Sequence, residues 1–178
     1  MVMGARQNLK VFFDTEFTEL GANPRLISIG LIAEDDARAF YAELTGTWSP
    51  EHVEDNFFVR DEVLPKLEGG DARMTMAELV LRLGSWFEDF GQPVQLATDS
   101  LAWDWPWIQQ IFGAAKTWPA NLENKPLLLT MFDLNHYAVF EEAVEQAFAD
   151  GLRRHHALDD AMANRLGWIA ARDGNLPG

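Results

Sequence analysis

The segment that most constrains the fold covers residues 25–33 and has the sequence Arg-Leu-Ile-Ser-Ile-Gly-Leu-Ile-Ala. It is apolar almost throughout, which is typical of a β-strand at the centre of a sheet. Neither this run nor any other approaches the roughly 18 apolar residues that a membrane-spanning helix needs. We therefore expect a sheet with a buried central strand and no membrane partner.

Two more strands are expected close to this segment. Val11-Phe12-Phe13 is a short run of strand-forming residues, and residues 37–44 form the third strand, after a turn at Glu34-Asp35-Asp36. A second turn, at residues 21–24, separates the first two strands. Three strands at such close spacing predict an antiparallel meander.

The rest of the chain alternates helical and strand patterns. Apolar residues recur every three or four positions over residues 74–90, which predicts an amphipathic helix with Thr75 as its N-cap. A short helix is expected over 61–67, although Pro65 in its interior argues against it. The other predicted elements are strands at 94–97 and 127–132, and helices at 107–112, 137–148 and 157–171, with Pro106 in the first turn of its helix. This order predicts a mixed α/β fold, and the length of 178 residues predicts one domain over residues 1–178.

Charge and composition exclude several functions. The chain has 28 acidic and 14 basic residues, a net charge of −14, so it repels nucleic acid at long range and cannot bind phosphate backbones by counterion release alone. It has no cysteine, which excludes disulfide scaffolds, zinc–thiolate and iron–sulfur centres, and thiol nucleophiles. Residues 1–10 lack the apolar region of a signal peptide, so we expect a cytoplasmic location.

Asp14 and Glu16 form the first candidate site. They are two residues apart at the end of the first strand, so their side chains point to the same face of the sheet. Neighbouring carboxylates repel each other, and a divalent cation such as Mg²⁺ usually offsets that repulsion. In so acidic a chain, a solvated turn is the competing interpretation.

Asp104 forms the second candidate site, in the sequence Leu-Ala-Trp-Asp-Trp-Pro-Trp. On its own it could equally be the N-cap of a helix. Asp99 competes with it for the role of metal ligand. Trp103 and the other tryptophans of this segment could pack in the apolar core. Alternatively, one of them could stack on a nucleobase, and such stacking is worth about 1–3 kcal/mol.

The third candidate site lies in the sequence Arg-Arg-His-His-Ala-Leu-Asp-Asp-Ala, at residues 153–161. Asp160 lies in the first turns of the last helix, and His155 precedes it by five residues. A histidine beside a metal carboxylate can deprotonate water near pH 7. Arg153 and Arg154 form the only adjacent basic pair and could attract a phosphate. Helix capping and a favourable helix dipole are the competing interpretations of this segment.

Taken together and in this order, Asp14, Glu16, Asp104, His155 and Asp160 resemble the motifs of the DEDDh 3′–5′ exonucleases, which include RNase T and polymerase proofreading subunits. The motifs are Asp-Thr-Glu, then an aromatic residue followed by Asp, then His-x-Ala-x-x-Asp. The resemblance extends over residues 11–166. It implies the RNase H-like fold, in which a mixed sheet, made of a three-stranded antiparallel meander and parallel strands, is flanked by helices.

Other segments are similar to the small bacterial stand-alone 3′–5′ exoribonucleases, which act on RNA with a free 3′ end. They are the sequences Asp-Thr-Glu-Phe, Leu-Ile-Ser-Ile-Gly at 26–30, and Val-Leu-Pro-Lys-Leu at 63–67. One departure is Ser100, where the superfamily often has Asn.

The resemblance implies hydrolysis with two metal ions, Mg²⁺ or Mn²⁺, about 3.5–4 Å apart. Asp14, Glu16, Asp104 and Asp160 would hold the ions, and His155 would take a proton from the attacking water. Two divalent ions cancel the charge of four carboxylates, so the filled site would no longer repel phosphate.

The substrate contacts implied are five residues: Phe17, Thr18, Trp103, Arg153 and Arg154. The expected partner is RNA with a free 3′ end, and the resemblance also points to a homodimer. Arg25, Arg60 and Lys66 are further candidates for steering the substrate.

Alternatives remain open at this stage. Within the superfamily, the chain could be a DNA exonuclease or an oligonucleotide scavenger. A non-catalytic RNase H-like binding module would have lost one or more of the carboxylates, all of which are present here.

Overall fold

The computed structural model describes residues 8–131 and 133–174, and in these ranges the strands form one mixed sheet of six strands. The strands are β1 (Leu9–Phe17), β2 (Leu26–Ala33), β3 (Ala39–Thr45), β4 (Arg73–Thr75), β5 (Val94–Thr98) and β6 (Leu127–Leu128). Their order across the sheet is β4-β3-β2-β1-β5-β6. β1, β2 and β3 pair as the antiparallel meander expected, and the other pairs are parallel. The mixed α/β fold is confirmed and is consistent with the RNase H-like architecture.

Helices cover both faces of the sheet. They are α1 (Met76–Glu88), α2 (Leu101–Ala115), α3 (Leu134–Ala149) and α4 (Ala157–Asp173). The larger apolar core joins the sheet to α1 and α2, and a smaller one joins it to α3 and α4. Every residue of β2 is buried, because this strand lies inside the sheet and between the two helical layers. The apolar run at 25–33 therefore does form a central strand.

Gly30 allows α4 to begin close to the sheet. A Cβ atom at this position would lie 2.2 Å from the backbone nitrogen of Leu158 and 2.4 Å from the carbonyl carbon of Ala157. Those atoms are backbone atoms of the first turn of α4, so they cannot move aside as a flexible side chain would. Gly30 pairs with Asp14 of β1, and the close approach therefore brings the start of α4 beside that carboxylate.

The structure confirms the predicted N-cap of α1. The Thr75 side chain accepts a hydrogen bond from the Glu78 backbone, and the Glu78 carboxylate accepts one from the Thr75 N–H at 2.7 Å. This reciprocal pair is a capping box. The helix begins at Met76, two residues later than predicted, because residues 73–75 pair with β3 as strand β4.

Three other boundaries differ from the sequence predictions. β1 includes Asp14 and Glu16 near its end, as expected, but it begins at Leu9, two residues before the predicted run, and extends one residue beyond Glu16 to Phe17. α2 begins at Leu101, so Pro106 lies inside the helix. Because proline has no N–H, the backbone carbonyl of Ala102 receives no helical hydrogen bond from it, but Ala102 is exposed to water. β6 has only two residues, and Phe132, the predicted end of that strand, lies outside the described residues.

The segment before β4 also differs from the prediction. In place of one helix over 61–67, the chain forms a π turn at Val59–Val63 and a 3-10 turn at Leu64–Lys66. Pro65 supplies no N–H, so a regular α-helix would lose a bond at this position. Short 3-10 turns also occur at Pro50–His52 and Gly70–Ala72.

Among the described residues, no helix has both the length and the apolar character needed to cross a membrane. The prediction that residues 1–10 carry no signal peptide falls largely outside the described residues, which begin at residue 8.

Candidate active site

Five carboxylates line one cavity of about 410 Å³, and the four that belong to the sequence motifs come from three different elements. Asp14 and Glu16 come from β1, Asp104 from α2 and Asp160 from α4. The cavity is lined by Asp14, Thr15, Glu16, Phe17, Leu20, Phe58, Asp99, Ser100, Trp103, Asp104, Val144, Phe148, Arg154, His155, Asp160 and Asn164. The structure thus brings together all five residues of the motifs identified in the sequence.

The alternation of β1 explains the direction of its two carboxylates. Successive side chains of a strand point to opposite faces, so Phe12, Asp14 and Glu16 share one face. Phe12 packs in the core that includes residues of α3 and α4, so the two carboxylates lie on the α4 side of the sheet. A bulge in the β1–β2 pairing follows Glu16 and shifts the register at Phe17.

Asp104 is held by two threonines. Its side chain accepts hydrogen bonds of 2.6 Å from the hydroxyls of Thr15 and Thr98, and the residue is only 2% exposed. It lies inside α2 and is not its N-cap, a position occupied by Ser100. Sequence analysis did not identify the two threonines. Thr15 lies near the end of β1 and Thr98 ends the adjacent strand β5, and only the fold brings both hydroxyls to Asp104.

The carboxylates share a site that disfavours their ionised forms. Burial, and then repulsion from Asp104 and Asp160, raises the pKa of Asp14 well above its usual value. Burial raises the pKa of Glu16 to about 8, and repulsion from the same two carboxylates adds to this effect. Burial likewise raises the pKa of both Asp104 and Asp160 to about 7. Full ionisation at neutral pH therefore requires an additional positive charge.

The donor atoms fit divalent cations. One oxygen each from Asp14, Asp99 and Asp104 lie within 4.8 Å of one another, and so do donors of Glu16, His155 and Asp160. Carboxylate oxygens are the ligands that Mg²⁺ and Mn²⁺ favour. Asp99 and Asp104 lie in the same group of donors, although the sequence suggested them as alternative metal ligands. Asp99 is exposed and accepts a hydrogen bond from Asn164 at 3.0 Å.

His155 lies at the edge of the carboxylate group in a left-handed backbone conformation, with φ of 62°. The ring of Phe58 contacts its imidazole edge-on, with centroids 4.7 Å apart. Burial, followed by the positive charges of Lys66 and Arg154, lowers the pKa of His155 below its usual value. The imidazole is therefore neutral at pH 7 and able to accept a proton.

Aromatic side chains flank the carboxylates. Phe17 stacks on Trp103 with centroids 6.2 Å apart, and Trp103 is 43% exposed. Leu20 and Phe58 add large apolar surfaces, 69% and 51% exposed respectively. Sequence analysis missed the last two, since an isolated Leu or Phe in a loop carries no periodic signal.

The candidate substrate contacts divide into two sets. Phe17, Trp103 and Arg154 line the cavity, whereas Thr18 and Arg153 are not among its described lining residues. Thr18 is buried, and its hydroxyl accepts a hydrogen bond from the Arg25 backbone at 3.1 Å. The Arg153 side chain bonds to Asp159 and Glu68.

The steering candidates also differ in their positions. Lys66 is close enough for its positive charge to contribute to the lowered pKa of His155 and to offset part of the rise in the pKa of Glu16. Arg60 pairs with its neighbour Asp61 at 2.9 Å, and Arg25 donates to the Thr47 carbonyl at 3.2 Å.

Comparisons with known proteins identify two relatives. Over 101 residues the chain is 36% identical to a protein described as a 3′-5′ exoribonuclease from Mycobacterium tuberculosis H37Rv, and equally to its counterpart from strain CDC 1551. The match covers 56% of this chain and 54% of each relative, so the chain spans about half the length of the curated relatives it matches. No family model matches the chain.

Proposed function

We propose that this protein is a metal-dependent 3′–5′ exonuclease that hydrolyses the phosphodiester bonds of RNA from the 3′ end. The observation that carries the proposal is the convergence of four carboxylates and one neutral histidine on a single open cavity. The description of the two mycobacterial relatives as 3′-5′ exoribonucleases supports the same reaction and is the reason for preferring RNA to DNA.

The carboxylates would hold two divalent cations, Mg²⁺ or Mn²⁺. The donors fall into two groups, one around Asp14 and Asp104 and the other around Glu16 and Asp160. When bound, such ions supply a nucleophilic water and a Lewis acid for the leaving oxygen. They would also cancel the local negative charge, so that a substrate phosphate could enter a protein of net charge −14.

His155 would act as the general base. Its lowered pKa keeps the imidazole neutral at pH 7, and its ring lies beside the carboxylates Glu16 and Asp160. A positioned base of this kind contributes about 10²–10⁴-fold to a rate. Phe58, packed against the ring, limits its movement.

The terminal nucleotides would lie along the aromatic wall of the cavity. Phe17 and Trp103 offer ring surfaces on which a base can stack. Arg154 lines the same cavity and pairs with the exposed carboxylate of Glu145 at 2.8 Å, an exchangeable partner that a phosphate could replace. Phe17, Trp103 and Arg154 are therefore the proposed substrate contacts. A homodimer and a cytoplasmic location stay predictions.

The direct test is a digest of single-stranded RNA and DNA of one sequence, each labelled at the 5′ end. We expect wild type to produce a ladder that shortens from the 3′ end in Mg²⁺ or Mn²⁺ but not in EDTA, with RNA degraded faster. Asp14→Ala should be inactive, whereas Asp71→Ala, an exposed carboxylate outside the cavity, should behave as wild type.

Full activity in Asp14→Ala would refute the site assignment. Faster degradation of DNA would make the protein a DNA exonuclease of the same mechanism. Binding of RNA without cleavage in either metal would favour a non-catalytic binding module.

A further inference from the structure

We infer that a cluster of hydrogen-bonded polar side chains behind the cavity, two of them buried and two exposed, positions His155 for its role as a base. The cluster consists of Glu68, Arg153, His156 and Asp159, and is called here the Asp159 clamp. None of the four is among the described residues that line the cavity. The inference rests on the proposed function, because it assigns these residues a part in the same reaction.

The need for a clamp comes from the backbone of His155. A non-glycine residue with φ of 62° is in the left-handed region, which is unfavourable for a residue with a Cβ atom. Such a conformation persists only where neighbouring contacts fix it. The residues on both sides of His155 supply those contacts.

Asp159 fixes the chain on the N-terminal side of His155. Its carboxylate accepts hydrogen bonds from the backbone N–H of Arg153 at 2.8 Å and from the Nε of the same residue at 2.8 Å. The Nη2 of Arg153 donates to the second oxygen at 3.1 Å. These paired hydrogen bonds restrict both the backbone of Arg153 and the orientation of its guanidinium plane.

His156 fixes the chain on the C-terminal side. Its side chain is fully buried and stacks on Tyr41 of β3, with ring centroids 4.5 Å apart. Its Nδ1 accepts a hydrogen bond from the Asp159 N–H at 3.4 Å and so caps α4. His155 therefore lies between two residues that are both tied to Asp159.

Glu68 connects the Asp159 clamp to strand β3. Its Oε1 accepts a hydrogen bond from the Nη2 of Arg153 at 3.0 Å and lies 3.4 Å from the Nε2 of His156. The backbone N–H groups of Glu68 and Gly69 donate in turn to the buried carboxylate of Glu43 on β3. The clamp thus joins the loop before β4, the sheet and the start of α4 around His155.

The decisive experiment is a double-mutant cycle between Asp159→Ala and His155→Ala, measured as kcat and KM on RNA in saturating Mg²⁺. In the wild-type background we expect Asp159→Ala to lower kcat about 10–100-fold with little change in KM, the usual effect of losing an outer positioning partner. In the His155→Ala background it should cause no further loss, because the clamp acts through that imidazole.

Arg172→Ala is the matched control. It removes another arginine–carboxylate pair of α4, with Glu34 at 2.8 Å, away from the cavity, and should leave both constants unchanged. Arg153→Lys, which keeps the charge but not the paired hydrogen bonds, replaces Asp159→Ala if that variant does not fold. Equal losses in both backgrounds would overturn the inference, because they would mean that the cluster serves stability alone.

A second readout does not depend on activity. In NMR spectra of the four histidines, we expect Asp159→Ala to broaden or shift the imidazole signals of His155 and to leave those of the exposed His52 and His136 unchanged. Unchanged His155 signals would refute the clamp even if the protein degraded RNA. If the wild type does not degrade RNA but Asp159→Ala still shifts the His155 signals, the proposed function is refuted, whereas the positioning of His155 by the clamp is retained.

Discussion

Asp159 and Asp160 are neighbours in the first turn of α4, yet their surroundings are opposite. Burial alone would raise the pKa of Asp159, but the hydrogen bonds from the side chain and backbone of Arg153 offset it, so that the pKa lies below its usual value. The pKa of Asp160 is raised to about 7, since burial and repulsion from Asp99 exceed the effect of a backbone hydrogen bond at His155. Asp159 is balanced by Arg153, whereas for Asp160 the positive charge of Arg154 is too weak to offset burial and repulsion.

The two environments indicate different roles for the two residues. A balanced carboxylate fixes geometry, as the paired hydrogen bonds between Asp159 and Arg153 do. An unbalanced group of carboxylates destabilises the free protein and is retained only where function requires it. Under the proposed function, a divalent cation would supply the positive charge that Asp160 and the other cavity carboxylates need.

Substitution of Asp160 should lower kcat far more than substitution of Asp159. Asp160→Asn should lower kcat by about 10³-fold or more, because losing a metal ligand removes several kcal/mol of transition-state stabilisation. Asp159→Asn keeps one acceptor oxygen for Arg153 and should lower kcat no more than about tenfold. Both are measured as RNA hydrolysis at saturating Mg²⁺. Equal losses in the two variants would remove the distinction between ligand and positioning residue.

The same two substitutions should change the melting temperature in opposite directions. In EDTA, Asp159→Asn should lower the melting temperature by ~2–4 °C, since a partly exposed ion pair contributes about 1 kcal/mol. Asp160→Asn should raise the melting temperature, because it removes a carboxylate from a repulsive group. Thermal unfolding with Asp71→Asn as the neutral control checks this. A decrease in both variants would mean that the carboxylates at the cavity are not under electrostatic stress.

The free energy of unfolding of the metal-free protein should depend weakly on pH. The raised pKa values of Glu16 and Asp160 mean that the folded state binds more protons than the unfolded state between about pH 4 and pH 8. The free energy of unfolding should therefore fall as pH rises through this window. The lowered pKa values of His155 and His156 act the other way below pH 6.5, so the comparison is best made from pH 6.5 to 8.5.

Denaturant titrations of wild type in EDTA and in Mg²⁺ measure this slope. The decline should be present in EDTA, weaker in Asp160→Asn, and absent when Mg²⁺ is bound. Stability that is constant or rises from pH 6.5 to 8.5 in EDTA would contradict the raised pKa values.

Local sequence signals predicted much of the fold. The apolar run of β2, the meander and the Thr75 capping box are encoded by residues near one another in the chain. The start of α2 was not predictable in this way, because the indole and proline side chains around Pro106 suggested a later beginning than the Ser100 N-cap provides.

The candidate site was predictable only in part. Asp14 and Glu16 could be recognised as a pair from their spacing, and the order of the motifs supplied the other site residues. The role proposed for Asp159 could not be recognised, because Glu68 lies 85 residues from Arg153 and meets it only in the folded chain. In the sequence, Asp159 and His156 are indistinguishable from ordinary residues at the start of a helix.

We propose that the cavity carboxylates form a cation site and stay partly protonated until metal binds. Calorimetric titration of the protein with Mn²⁺ at pH 7, in two buffers of different ionisation enthalpy, counts the protons released on binding. We expect release of protons at pH 7 and little release at pH 9, because a cation must displace the protons held at pKa values of about 7 and 8. Binding without proton release at pH 7, or unchanged Mn²⁺ binding in Asp160→Asn, would contradict it.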